Sequence, residues 1–174
     1  MIDPTFGPTF GPASGPARFV TDSSLEQLAR RLRFLGYDVL SHRGARLEEL
    51  FDDAAREGRI VLTLSSRRPR RHAGVPALVV PRGDLAEAVR LVAAGHAPAT
   101  ARWSRCPSCN VALQSRSAFE ARGEVPSRVT RGGSPLTWCP ACGRWYWRGS
   151  HVERMERWFD EVLGPGSPTA GGPA

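Results

Sequence analysis

The chain contains no lysine: all 24 of its basic residues are arginine. It has four cysteines and two methionines in 174 residues, and no apolar run approaches the ~20 residues that a membrane-crossing helix needs. Its start, Met1-Ile2-Asp3-Pro4, has neither the basic region nor the apolar stretch of a secretory leader. The expectation is a soluble, cytoplasmic protein with no membrane partner. No Ser/His/Asp arrangement, phosphate-binding glycine loop or dinucleotide fingerprint occurs, which removes those catalytic classes from the reading.

The few cysteines are highly ordered in sequence. They fall in two Cys-x2-Cys knuckles, Cys106-Pro107-Ser108-Cys109 and Cys139-Pro140-Ala141-Cys142, with 29 residues between them and none left over. Two residues between thiolates let one tight turn aim both sulfurs at a single ion, which is the spacing of a tetrahedral Zn(II) site. Paired disulfides need an oxidising compartment that this chain start does not suggest. A redox Cys-x-x-Cys normally occurs once, on a strand-to-helix turn. Four thiolates fill the coordination sphere, so the expected zinc is structural and leaves no open position for water.

A 41% hydrophobic content is compatible with one α/β core and a small appendage. The net charge of +7 favours a polyanionic partner, since guanidinium forks suit phosphate oxygens. The all-arginine usage accords equally with GC-rich coding, and a basic surplus is also a common solvated surface.

The first 16 residues, with the near-repeat Pro4-Thr5-Phe6-Gly7-Pro8-Thr9-Phe10-Gly11-Pro12, and the last eleven from Gly164 are rich in Gly and Pro and read as disordered tails. Between them, a strand at 17–20 leads to Asp22 and a helix whose cap is Ser23 or Ser24, with Leu25, Leu28, Ala29, Leu32 and Leu35 at helical spacing up to Gly36. A strand over 37–41, a helix over 47–57 and a strand over 59–64 follow. After the arginine-rich loop Arg67-Arg68-Pro69-Arg70-Arg71 come a strand over 77–80 and a helix capped by Asp84. This alternation predicts a parallel sheet flanked by helices, with any active site at the carboxyl ends of its strands. Asp22, Thr63 and Ser65 fall at such ends, and Glu48 opens the second helix. Asp22 reads equally as a turn cap, and Glu48 as an acid favoured by the helix dipole.

Taken in order, Phe19-Val20-x-Asp22, Leu28-Ala29-Arg30-x-Leu32-Arg33, Leu35-Gly36-Tyr37-Asp38-Val39, Arg59-Ile60-Val61-Leu62-Thr63, Arg105-Cys106, Val125-Pro126 and Tyr146-Trp147-Arg148-Gly149-Ser150-His151 resemble the Mut7-C family. The resemblance implies a PIN-like ribonuclease domain over residues 17–98, then a zinc ribbon with a short C-terminal helix over 102–163. It further implies a metal-dependent endoribonuclease in which Asp22 and Glu48 bind Mg(II) or Mn(II) and Thr63 and Ser65 hold its water. Where the family typically reads Leu-Thr-Arg-Asp, this chain has Leu62-Thr63-Leu64-Ser65, and His42-Arg43-Gly44-Ala45-Arg46 is basic where relatives tend to be acidic. Each missing carboxylate removes a hard oxygen ligand, so a non-catalytic RNA-binding or ribosome-associated module is the alternative.

RNA is the expected partner under both readings. Arg67, Arg68, Arg70, Arg71, Arg148 and His151 are the candidate contacts. Trp103, Trp138, Trp145 and Trp147 lie around the cysteine pairs, either to stack bases or to fill the core of a small ribbon.

Overall fold

The computed structural model describes residues 15–44 and 46–165. The expected tails therefore fall almost wholly outside the described residues. Four parallel strands, β1 (Arg18–Thr21), β2 (Asp38–Ser41), β3 (Ile60–Thr63) and β4 (Ala77–Val79), form one sheet in the order β2-β1-β3-β4. Val20 pairs with Val61 and Thr21 with Leu62. Both central strands are apolar on two faces because successive side chains alternate between them: Phe19 and Leu62 enter one core, Val20 and Val61 the other.

Helix α1 (Glu26–Phe34) buries Leu28, Ala29 and Leu32 in the first core, together with Val89 and Val92 of α3 (Leu85–Gly95). Helix α2 (Leu47–Glu57) buries Leu50, Phe51 and Ala54 on the opposite face, and Gly58 ends it in the left-handed region with φ +62°. The turn entering α1 differs from the expectation. Asp22, rather than Ser23 or Ser24, caps a 3₁₀ turn over Ser23–Leu25 by accepting a hydrogen bond from Ser24 N.

The ribbon has three short antiparallel strands, β5 (Gln114–Arg116), β6 (Leu136–Trp138) and β7 (Trp145–Trp147), with helix α4 (Ser127–Arg131) between the first two. Its apolar content is small: Ala121, Val125 and Leu136, flanked by Val129, Trp145 and Trp147. The C-terminal helix α5 (Ser150–Leu163), placed with the ribbon by sequence order, packs elsewhere. Met155, Phe159 and Val162 join the α1/α3 core, and Arg90 Nε donates to Val162 O at 3.1 Å. Its i, i+4, i+7 apolar stripe needs a larger apolar partner than the ribbon offers.

Arg33, Asn110 and Gly36 are among the residues that fasten the two parts together. Arg33 is buried in α1 and donates to Val39 O at 2.8 Å, Ser41 Oγ at 2.7 Å and Pro107 O at 2.7 Å. Asn110 donates to Asp38 Oδ1 at 2.8 Å and accepts from Val39 N at 3.1 Å. Gly36, at φ +93°, lies so close to the returning chain that a Cβ would overlap the carbonyl oxygens of Thr100 and Ala101. Its own carbonyl accepts from Thr100 N and Thr100 Oγ1.

Candidate functional site

The two knuckles have the same backbone geometry. In the first, Cys106 O accepts from Asn110 N at 2.9 Å and Cys106 N donates to Val111 O at 2.8 Å; in the second, Cys139 O accepts from Gly143 N and Cys139 N donates to Arg144 O, each at 2.9 Å. Both turns need a left-handed residue in the same place: Asn110 at φ 65° and Gly143 at φ 68°. Glycine serves where nothing further is required. Asparagine serves where the side chain must also dock on β2.

All four Sγ atoms lie within 4.8 Å of one another, with Cys106–Cys109 at 3.6 Å, Cys106–Cys142 at 3.8 Å and Cys109–Cys139 at 3.9 Å. A regular tetrahedron with metal–sulfur bonds of ~2.3 Å has edges of ~3.8 Å. The four cysteines could therefore hold a metal such as zinc. Burial opposes ionisation of Cys106, but hydrogen bonds from Tyr146 Oη, at 3.2 Å, and from the Cys109 and Ser108 backbone outweigh it and bring the thiol to about 7. Burial and the neighbouring thiols push Cys109 up, and burial pushes Cys139 up. Crowded thiols that resist sharing negative charge are relieved by a divalent cation.

At the carboxyl edge of the sheet the strand order reverses between β1 and β3. Asp22 leaves β1 there, but its Oδ1 accepts from both Ser24 N and Ser24 Oγ. Thr63 Oγ1 accepts from Ser65 N, and Ser65 Oγ accepts from Arg67 N, each at 3.1 Å. Those two hydroxyls thus turn the chain off the sheet. Glu48 is exposed and faces Arg71 at 3.5 Å. Asp52 meets Arg71 at 3.0 Å and His72 at 2.9 Å, and Asp53 meets His42 at 2.6 Å.

Asp22, Glu48, Asp52 and Asp53 thus each have an arginine, histidine or hydroxyl partner, with Arg71 shared by Glu48 and Asp52. Among the described residues, no group of three carboxylate, imidazole or thiol ligands other than the cysteines comes together. The donor set does not fit a Mg(II) or Mn(II) centre of the kind the resemblance implies. One further carboxylate reaches the edge: Asp84, which caps α3 by accepting from Glu87 N, lines a groove with Ser24, Leu64 and Arg82. The sequence identifies it as a cap. Its place at the edge follows only from the topology.

The candidate RNA contacts divide. Arg71 is matched by acids of α2, and Arg68 donates to Ala77 O at 3.1 Å. Arg67 and Arg70 are exposed. Arg148 pairs with Glu156 at 2.7 Å. His151 is exposed and lines a groove with Arg30, Arg31 and Arg144. Trp145 and Trp147 pack on the ribbon core, Trp103 packs on Phe34 with ring centroids 4.7 Å apart, and Trp138 lies under Arg116.

A parallel α/β sheet joined to a four-cysteine ribbon defines the class of this protein: a two-part α/β protein with a cysteine cluster that could hold a metal. The Mut7-C RNAse domain profile matches residues 17–159, and the chain belongs to that family. Its body is thus a ribonuclease-type module. No curated protein and no solved structure matches the chain significantly. Among the described residues no helix is long and apolar enough to cross a membrane.

Proposed function

We propose that this protein binds RNA on a ribonuclease-type fold, with a structural zinc in the four-thiolate site and without a working carboxylate centre. The observation that carries this reading is the dispersal of the acids. Asp22 caps a turn, Glu48 faces Arg71, and Ser65 supplies a neutral hydroxyl at the end of β3. A cation bound through scattered, already partnered carboxylates lacks the hard anionic cage that offsets its dehydration. The surplus of seven positive charges supports a polyanionic partner.

The second reading, a metal-dependent endoribonuclease with Asp22 and Glu48 as ligands and Thr63 and Ser65 around the ion's water, is favoured by one observation. Asp22 stands beside the reversal in strand order, where open α/β sheets place their ligands, and only one of its carboxylate oxygens is used by Ser24. Titration of the zinc-loaded protein with Mn(II) in a calorimeter separates the two. Binding no tighter than the millimolar range, unchanged by Asp22→Asn, is expected. Micromolar binding abolished by Asp22→Asn would favour the nuclease.

A further inference from the structure

Beside the first knuckle a groove of about 470 Å³ opens between α1, the Cys106–Cys109 turn and the start of α5. Arg30, Arg31, Arg144 and His151 line it with Gln27 and Ser108, and no carboxylate is among its lining residues. In the arginine-rich β3–β4 loop Asp52 faces both Arg71 and His72; in the groove Arg30 is paired, with Glu26, while among the described residues Arg31, Arg144 and His151 have no carboxylate within ion-pair distance.

The cations of the groove are held in place. Arg144 Nη1 donates to Ser108 Oγ at 2.6 Å, Arg30 is braced by Glu26 at 3.2 Å, and the Arg31 guanidinium sits 5.0 Å from the Trp158 ring centroid and touches Met155 Sδ. Guanidinium groups fixed in this way lose little entropy on meeting phosphate.

The groove adjoins two other depressions. Phe34 and Tyr146 also line an apolar pocket of about 200 Å³ that includes Trp103 and Trp147. That is larger than the ~150 Å³ that suffices for a benzene ring. At the other end Gln27 is shared with the groove of Ser24, Leu64 and Asp84 at the carboxyl edge of the sheet. A row of cations thus runs between an aromatic pocket and the edge where Asp22 stands.

We propose that this track is the docking site for single-stranded RNA. Phosphates lie on Arg30, Arg31 and Arg144 beside His151, one unstacked base enters the Trp103–Trp147 pocket, and the strand continues past Gln27 toward Asp22. Single strands are specified because a base can enter an aromatic pocket only when it is free of its pair and its stack. Tyr146 ties the track to the metal site, since its ring lines both depressions and its hydroxyl meets Cys106 Sγ. The proposal rests on the RNA-directed reading above.

Fluorescence anisotropy of the full, zinc-loaded chain with a labelled twelve-nucleotide single strand tests it. The Arg30→Gln/Arg144→Gln variant is expected to bind about tenfold more weakly, with the log–log salt slope reduced by ~0.7 for each phosphate it no longer neutralises. His151→Glu, exposed in the first turn of α5 where an acid suits the helix dipole, is expected to weaken binding while leaving zinc content and melting temperature unchanged. Arg128→Gln on α4 is expected to bind like wild type, and a duplex of the same sequence to compete poorly. Wild-type affinity in both groove variants would overturn this site while leaving the RNA-directed reading standing. Absence of binding by the wild-type chain would overturn both.

Discussion

Asn110 and Asp38 join the two parts of the molecule: Asn110 Nδ2 donates to Asp38 Oδ1 at 2.8 Å, while Asn110 Oδ1 accepts from the neighbouring Val39 N at 3.1 Å. A single residue in the left-handed turn of the first knuckle thereby completes the edge of β2. Replacing Asn110 with Ala leaves buried polar groups unpaired and strains the turn, an expected loss of about 3 kcal/mol. Asn110→Gly keeps the turn but not the bonds, and should be about 1 kcal/mol less damaging. Urea unfolding of the two variants measures both effects; equal losses would mean that backbone conformation contributes nothing.

The same junction should be labile to acid. Burial raises the carboxyl of Asp38, but hydrogen bonds from Arg59 and Asn110 and the charges of Arg59 and Arg105 outweigh it, holding the group below its ordinary 3.8. A depressed folded-state pKa contributes stability that is fully present above the unfolded value and is lost as pH falls through the folded one. Glu26, held by Ser41, Arg30 and Arg33 against the opposing effect of burial, is shifted the same way. The contribution of these two carboxylates is expected to be level from about pH 7 to 5 and to fall below ~4. It adds to a loss that begins as pH falls through 6.5, because burial holds His96 below that ordinary value. Asp38→Asn should lower the plateau and flatten the acid limb. An unchanged acid limb would remove Asp38 from this role.

Metal removal should be felt in both parts of the protein. With Arg33 donating to Pro107 O and Asn110 docked on β2, collapse of the first knuckle withdraws acceptors from a buried guanidinium. The expected zinc content is one ion per chain, measured by release with a chromogenic chelator. Chelation or Cys109→Ser should broaden the amide spectrum of the ribbon and also lower the melting temperature of the sheet. A sheet whose melting was insensitive to chelation would contradict the coupling.

Gly36 offers a test of the packing itself. At φ +93°, with the Thr100 carbonyl against the position of any added Cβ, Gly36→Ala should destabilise by about 3 kcal/mol or more. Thermal melts decide it, and a loss under ~1 kcal/mol would mean that the 100–103 segment moves aside readily.

The helices and strands of the α/β body were legible because each has a plain pattern. Leu28, Ala29 and Leu32 repeat at helical spacing, Leu50, Phe51 and Ala54 likewise, and Val61-Leu62 is a short apolar run. The clustering of the four cysteines was legible because Cys-x2-Cys fixes geometry within a single turn. The partners of long charged side chains were not, since nothing in local sequence distinguishes the buried Arg33 from the exposed Arg30 three positions earlier. Nor does the order of elements reveal that α5 turns back onto α3, or that Arg71 reaches Glu48 across the loop. Both depend on which apolar face or opposite charge is nearest once the sheet has formed. Asp22 and Glu48 were placed at one edge by topology, yet topology does not determine whether carboxylates converge on a common point.

Incubation of the zinc-loaded wild type, in excess over an end-labelled single-stranded RNA, with Mn(II) or Mg(II) and beside Asp22→Asn tests the central claim most directly. Salt-dependent retention of the RNA by both proteins, with cleavage no faster in wild type than in the variant, is the expected result. Metal-dependent cleavage by the wild type that Asp22→Asn abolishes would contradict it.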